Sequence, residues 1–96
     1  MASSSTTTEG WLYVLTHPKL SGWFKVGKTT NPRRRLNQYQ TGDPARAYRF
    51  VFLRQMEDHH LAEEKLIQRL DRLGYLPHGE WFEVPLCVLH KQIALL

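Results

Sequence analysis

The chain has 96 residues, 42% of them hydrophobic, and carries a formal net charge of +4. That length and composition suffice for one domain with a modest core, and residues 10–96 are predicted to form it. The Ser/Thr-rich residues 1–9 are predicted to be a disordered tail. Because no apolar run has the length of a membrane-spanning helix and no signal peptide is evident, we expect a soluble protein in an intracellular compartment, cytoplasmic or nuclear.

The basic residues indicate the class of partner, and the cysteine content limits the possible disulfides and metal sites. Arginine outnumbers lysine among the 13 basic residues, and arginine is well suited to bidentate phosphate contacts. The charge therefore favours a nucleic-acid partner without proving one. The single cysteine, Cys87, excludes an internal disulfide and a multi-cysteine zinc site, and its apolar neighbours predict a buried thiol.

The first predicted elements, in chain order, are two strands and a helix. Aromatic and aliphatic runs over 11–16 and 23–27 predict a long-looped antiparallel hairpin. Asn31 as N-cap and Pro32 in the first turn predict a helix that begins there. This helix is expected to end at Gly42.

The second half of the chain is predicted to add one strand and two helices. The segment 48–53 is apolar on both faces, which indicates a central strand or one that is covered on both sides. A long helix is predicted over 57–73, a short extended segment over 80–84, and a last helix from Pro85 onward. The predicted fold class is α/β (α+β): a small three-stranded antiparallel sheet flanked by helices, in the order ββαβα, followed by the extended segment and the C-terminal helix.

Three polar side chains are expected to gather near one surface of this arrangement. Tyr13 lies on the first strand, Lys25 on the second, and Arg35 in the first helix. A hydroxyl, an ammonium and a guanidinium together are the kind of groups that a phosphodiester-cleaving site needs. The neighbouring Arg33 and Arg34 are predicted to be solvated phosphate contacts.

Glu63 lies inside the apolar stripe of the long helix. At 100° per residue it falls between Leu66 and Leu70, where a carboxylate costs several kcal/mol unless it is paired or bound to metal. Two interpretations stay open. Glu63 either pairs with an arginine at the edge of the stripe, or is directed at a site where Mg²⁺ or Mn²⁺ would be its natural partner. His59, four residues earlier, has the spacing of a helical metal pair.

These residues together resemble the GIY-YIG nuclease superfamily, and the likeness extends over about residues 10–84. Additional motifs resemble a compact branch common in phage and fungal proteins, written K-I-G-x-T, R-L, Q-T-G and G-E-W-F. They stand here as Lys25-Val26-Gly27-Lys28-Thr29, Arg35-Leu36, Gln40-Thr41-Gly42 and Gly79-Glu80-Trp81-Phe82. No single motif is specific, and the resemblance depends on the ordered set and its spacing.

The chain departs from the family pattern at four positions. Trp11 and Leu12 stand where the first motif has glycine and isoleucine, and Lys25 stands where the second motif of the name has tyrosine. Ile67 occupies the position at which branch members often have a histidine, four residues after the glutamate. That change argues against a proton-relay role for this position.

The resemblance implies a GIY-YIG-like fold and a role for each main site residue. Glu63 would be the ligand of one divalent ion, Mg²⁺ or Mn²⁺, which contacts the scissile phosphate. Tyr13 would activate the attacking water, either as a base or by positioning it, and Lys25 would stabilise the Tyr13 phenolate. Arg35 would neutralise the charge that develops on the phosphoryl oxygens.

Other residues are expected around this site. Lys28, Arg33 and Arg34 are predicted to contact nucleic acid. Tyr39, one helical turn beyond the catalytic arginine, is either a core residue or a second hydroxyl at the site. Glu80 either pairs with an arginine or lines the site.

The predicted function is a metal-dependent endonuclease module that hydrolyses phosphodiester bonds in DNA, with no small-molecule cofactor and no membrane partner. The alternative is a catalytically weak or inactive module of the same fold that binds nucleic acid or protein. The histidine position occupied by Ile67 and the small size of the chain motivate this alternative. The sequence leaves open DNA versus RNA, the specificity for sequence or structure, and the oligomeric state.

Overall fold

Four strands and three helices make up the regular structure of residues 10–96, the part of the chain that the computed structural model describes. The disordered tail predicted for residues 1–9 lies outside the described residues. The strands and helices are β1 (Gly10–Thr16), β2 (Trp23–Thr29), α1 (Pro32–Thr41), β3 (Arg49–Met56), α2 (His59–Arg72), β4 (Trp81–Glu83) and α3 (Leu86–Ala94). A single 3₁₀ turn over Pro18–Leu20 lies in the hairpin loop between β1 and β2.

The sheet is antiparallel throughout, in the order β3-β1-β2-β4. The predicted α+β class is therefore confirmed, but the predicted number of three strands is wrong. The short extended segment forms the fourth strand because Phe82 pairs with Phe24 of β2, and both side chains enter the core. The interpretation of the third strand as central is also wrong, since β3 is an edge strand and β1 and β2 occupy the centre.

The apolar character of β3 has a different cause. Phe50 packs edge-on against Tyr13, with ring centroids 5.4 Å apart, on one face of the sheet. Phe52 and Val51 pack against the core on the other face. The strand is thus covered on both sides over these three residues, while its second half is exposed to solvent at Leu53.

The two faces of the sheet carry different residues because strand side chains alternate. On one, here called the core face, Leu12, Val14 and Val26 pack against α2 and α3, whose Leu66 and Leu89 are fully buried. The other is here called the site face, and α1 lies against it without burying any residue completely. The free energy of folding therefore comes mainly from the core face, which leaves the site face available for polar groups.

The predicted starts of the first and last helices are confirmed, whereas the long helix begins at His59, two residues after the predicted start. The Asn31 side chain accepts a hydrogen bond from the backbone N–H of Arg34, and Asp58 does the same for Leu61 at the start of α2. The last helix follows Pro85. The prediction for Cys87 is wrong: this residue lies on the exposed side of α3.

Within residues 10–96, no helix is both long and apolar enough to cross a membrane.

Candidate active site

Tyr13 lies at the centre of the site face, on the central strand β1. Its cross-strand partner is Gly27 of β2, and a Cβ at that glycine would come within 2.4 Å of the Tyr13 Cζ and Oη atoms. The phenol ring therefore occupies the space that any larger residue at position 27 would fill. With Phe50 against the ring, Tyr13 is only 2% exposed.

The second hydroxyl of the site belongs to Tyr39 of α1. The Oη atoms of Tyr13 and Tyr39 are 3.2 Å apart, within hydrogen-bond distance. This position is compatible with the second of the two roles considered for Tyr39 from the sequence, a second hydroxyl at the site. Its ring also lies 5.5 Å from that of Tyr48, so that it is half-buried among aromatic neighbours.

Burial raises the pKa of Tyr13 above its usual value, and the hydrogen bond to Tyr39 raises it further. The Arg35 guanidinium acts in the opposite direction on the same pKa, and the Glu80 carboxylate raises it. Tyr13 is consequently a neutral phenol near pH 7. The cation that acts on this pKa in favour of the phenolate is Arg35, whereas Lys25, predicted from the sequence for this role, is paired with a carboxylate.

Lys25 has a different partner. Its ammonium group forms an ion pair with Glu80, and its Nζ lies 5.4 Å from the centroid of the Tyr39 ring. The Lys25 side chain is 8% exposed, whereas that of Glu80 is 75% exposed. A buried ammonium requires a counter-charge, and Glu80 supplies it from the rim. The glutamate thus lines the site and pairs with a lysine, where the sequence had suggested an arginine.

The position of α1 depends on Gln40, which the sequence-based reasoning noted only as part of a motif. The Gln40 side chain donates to the backbone carbonyl of Tyr48 at 2.8 Å and accepts from its N–H at 3.1 Å. These two bonds attach the end of α1 to the segment that leads into β3. They hold Tyr39, the preceding residue, against the sheet. A glutamine one residue after a site tyrosine was the available signal, but its backbone partner could not be inferred from the sequence.

A second connection joins the loops at the same end of β1, where the ring of His17 lies 4.7 Å from that of Tyr48. The His17 Nε2 atom lies 2.8 Å from Asp43 Oδ2, and the Asp43 carboxylate also accepts hydrogen bonds from the backbone N–H groups of Ala45 and Ala47. These backbone bonds, chiefly that from Ala47, and the His17 ring lower the pKa of Asp43. The hairpin loop and the loop after α1 are joined in this way.

The basic residues of α1 follow a gradient of burial. Arg33 and Arg34 are exposed, and Arg35 is half-buried. Thr29, at the end of β2, lines a shallow cavity together with Arg34 and Arg35. The cavity is open to solvent and has guanidinium groups at its wall, which is an arrangement suited to a phosphate.

Glu63 approaches the sheet from the core face. Its Oε1 atom lies 3.2 Å from the Nζ of Lys28, a residue predicted to contact nucleic acid. The Glu63 side chain is 20% exposed, so it lies at the edge of the apolar stripe, and the exposed Glu64 lies outside it. Strand register places Lys28 opposite Leu12, whereas Tyr13 faces the other side. The structure therefore brings together Tyr13, Tyr39 and Arg35 on the site face, and Glu63 with Lys28 on the core face.

The described residues contain no cluster of three or more His, Cys, Asp or Glu side chains that could hold a metal ion. His59, considered as a partner of Glu63, is 4% exposed, and its imidazole packs against Gly10. Among the residues considered from the sequence, Glu63 is then the one that could hold an ion, through its carboxylate. Mg²⁺ commonly binds with one or two carboxylates in this manner. The donor itself is a carboxylate oxygen, the ligand type that Mg²⁺ and Mn²⁺ prefer, and it is paired with the Lys28 ammonium.

Comparison with protein families gives a match to the T5orf172 domain over residues 10–96. No curated protein and no solved structure matches the chain.

Proposed function

The chain belongs to the T5orf172 domain family, a phage-associated domain type related to nuclease modules, and from this membership we propose a metal-dependent endonuclease module that hydrolyses phosphodiester bonds in DNA. The observation that carries the proposal is the hydroxyl pair of Tyr13 and Tyr39, 3.2 Å apart, within the electrostatic influence of Arg35. The resemblance to the compact GIY-YIG branch supports the same roles.

Tyr13 is proposed to position the attacking water. Because burial raises its pKa, the phenol stays protonated at neutral pH and cannot accept a proton as a preformed phenolate. Its oxygen can still accept a hydrogen bond from water, while Tyr39 holds its orientation. In the reaction, the water oxygen bonds to phosphorus while the bond from phosphorus to the leaving sugar oxygen breaks; one proton of the attacking water passes to solvent, and the leaving oxygen takes up a proton from solvent.

Arg35 is proposed to stabilise the negative charge that develops on the phosphoryl oxygens. It is half-buried next to the shallow cavity at the end of β2, where a phosphate would meet its guanidinium. The exposed Arg33 and Arg34 would contact neighbouring phosphates and contribute affinity that depends on salt.

Glu63 is proposed to hold the divalent ion, Mg²⁺ or Mn²⁺. When bound, such an ion supplies Lewis-acid stabilisation of the phosphate. The half-buried carboxylate is the group of this chain that the resemblance assigns to the role, and its contact with an ammonium is compatible with a cation there. Lys25 and Glu80 act on the site indirectly, since their ion pair packs against the Tyr39 ring.

Nicking of supercoiled plasmid DNA with Mn²⁺ tests the proposal. Arg35→Ala and Glu63→Ala should each abolish turnover. Arg33→Ala is the matched control, because it removes the same charge two residues away from an exposed position. This control should retain turnover at saturating protein, with weaker binding and a salt slope reduced by about 0.9. Nicking that survives Glu63→Ala unchanged would refute the assignment.

A second function is favoured by a separate observation. Tyr13 is a neutral phenol, and Ile67 cannot transfer a proton, so a module that binds nucleic acid without cutting is the alternative. This function predicts salt-sensitive DNA binding and no cleavage with Mg²⁺, Mn²⁺, Co²⁺ or Ni²⁺. In that case the plasmid assay would show no nicking by the wild-type protein, and Arg35→Ala and Arg33→Ala would weaken DNA binding to similar extents.

A further inference from the structure

The ion pair between Lys28 and Glu63 joins two residues to which the proposed function gives separate tasks. Lys28 Nζ lies 3.2 Å from Glu63 Oε1. The first residue was expected to contact DNA and the second to hold a divalent ion. Because they contact each other, at least one of the two tasks requires this pair to separate.

Under the proposed function, the Glu63 carboxylate would bind two different cations, the Lys28 ammonium and the divalent ion. An ammonium group donates hydrogen bonds to carboxylate oxygen, and a divalent ion such as Mg²⁺ or Mn²⁺ coordinates it. A positive charge that remained beside Glu63 would repel an arriving ion. We propose that Lys28 and the divalent ion occupy the Glu63 carboxylate in turn, so that ion binding releases the Lys28 ammonium to a DNA phosphate. This inference rests on the proposed function and adds a regulatory step at that site.

The exposure of the two side chains makes such an exchange feasible. Lys28 is 37% exposed and Glu63 20%, so solvent screens the pair and its net strength is small. Lysine has a flexible four-carbon chain with a mobile point charge. The ammonium can therefore leave Glu63 without a rearrangement of the strand.

The place to which Lys28 would move is adjacent in the chain. The next residue, Thr29, lines the shallow cavity that contains Arg34 and Arg35. A phosphate in that cavity would attract an ammonium released from the preceding position. Without the ion, Lys28 neutralises Glu63; with it, both the ion and Lys28 can face the phosphate. Ion binding and DNA binding must then strengthen each other by the same factor.

Mn²⁺ binding to the DNA-free protein, followed by the electron paramagnetic resonance signal of free Mn²⁺, tests the exchange without any turnover. Lys28→Met removes the competing charge and should raise the affinity for Mn²⁺ about three- to tenfold. Lys28→Arg should lower it, because a guanidinium binds a carboxylate through two parallel hydrogen bonds. Lys65→Met is the matched control: it removes one positive charge two residues from Glu63, about 200° around the helix, and should change the affinity less than twofold.

A 12-base-pair duplex with phosphorothioate linkages, which resists cleavage, provides the second readout. This duplex should raise the Mn²⁺ affinity of the wild-type protein more than that of Lys28→Met. Equal or weaker Mn²⁺ binding by Lys28→Met in the absence of DNA would overturn the exchange. If Glu63→Gln abolishes Mn²⁺ binding in that case, the proposed metal ligand still stands. Unchanged Mn²⁺ binding by Glu63→Gln, or no binding by either wild type or Lys28→Met, would instead overturn the metal site and the exchange together.

Discussion

Replacing Gly27 by alanine is the sharpest perturbation of the site face. The new Cβ would lie 2.4 Å from both Cζ and Oη of Tyr13, whereas ordinary carbon contacts begin near 3.4 Å. The Tyr13 ring would have to withdraw by about 1 Å to restore van der Waals contact. It cannot do so freely, because Phe50 packs against it and Tyr39 is bonded to its hydroxyl.

Two opposing effects decide the magnitude for Gly27→Ala. Forcing extra volume into a packed site costs roughly 1–3 kcal/mol. Alanine in place of glycine in a strand gains roughly 0.5–1 kcal/mol, because the unfolded chain loses less conformational freedom on folding. Gly27 does not have a positive φ, so its backbone adds no strain. The steric cost outweighs the gain, and we expect a net loss of about 0.5–2 kcal/mol in the free energy of unfolding.

Urea denaturation followed by circular dichroism measures this loss. Gly42→Ala is the matched control, because a Cβ there would meet its nearest atom, the Tyr39 carbonyl oxygen, at an ordinary 3.8 Å. The Tyr13→Ala background supplies the decisive comparison, since without the ring Gly27→Ala should cost nothing or stabilise the protein. The difference is a coupling energy between neighbours. If Gly27→Ala costs the same with and without the Tyr13 ring, the steric reasoning is refuted.

Three further outcomes are expected. Burial raises the folded-state pKa of Tyr13 above its unfolded value near 10, so unfolding releases a proton at high pH. The free energy of unfolding of the wild-type protein should therefore fall above about pH 10, and Tyr13→Phe should weaken that fall in urea titrations. Asp43 has a lowered pKa in the folded state, so the stability that it contributes is present above pH 3.8 and is lost as the pH falls further. In thermal melts, Asp43→Asn should unfold at a lower temperature than the wild type at pH 7, and its stability should decrease less as the pH is lowered. The exposed Cys87 should react with a thiol reagent at the rate of a free cysteine without denaturant, and a rate that rises only on unfolding would contradict its position.

The sequence was sufficient to predict those elements whose signals are local. The capping side chain of Asn31 and the proline that follows it marked the start of α1. Such signals act over three or four residues and require no knowledge of the rest of the fold. The strand at Trp81–Glu83 was recognised as extended for the same reason. Its place in the sheet was missed, because a three-residue strand is stabilised by its cross-strand partners and not by local preference.

The partners of charged groups were the part that sequence reasoning could not predict. Lys25 was expected to tune Tyr13, but strand pairing brings it next to Trp81, so that the adjacent Glu80 becomes its counter-ion. Arg35 acts on the Tyr13 pKa instead. Ion pairs of this kind depend on which strands are neighbours, and an error in sheet order therefore propagates directly into the assignment of electrostatic roles.

Under the proposed function, the division of the sheet into two faces limits where a scissile phosphate could bind. Side chains of consecutive strand residues point to opposite faces, so Lys28 contacts Glu63 on one side while Thr29 lines the arginine cavity on the other. The two faces come together only where the sheet ends, and for β2 that end is at these two residues. A phosphate that contacts Arg35 and also an ion held by Glu63 would therefore lie beyond the end of β2, not over the middle of the site face. Lys28 is a cation next to that place in the chain, and under the proposed function its pairing with Glu63 would bear directly on when the site accepts DNA.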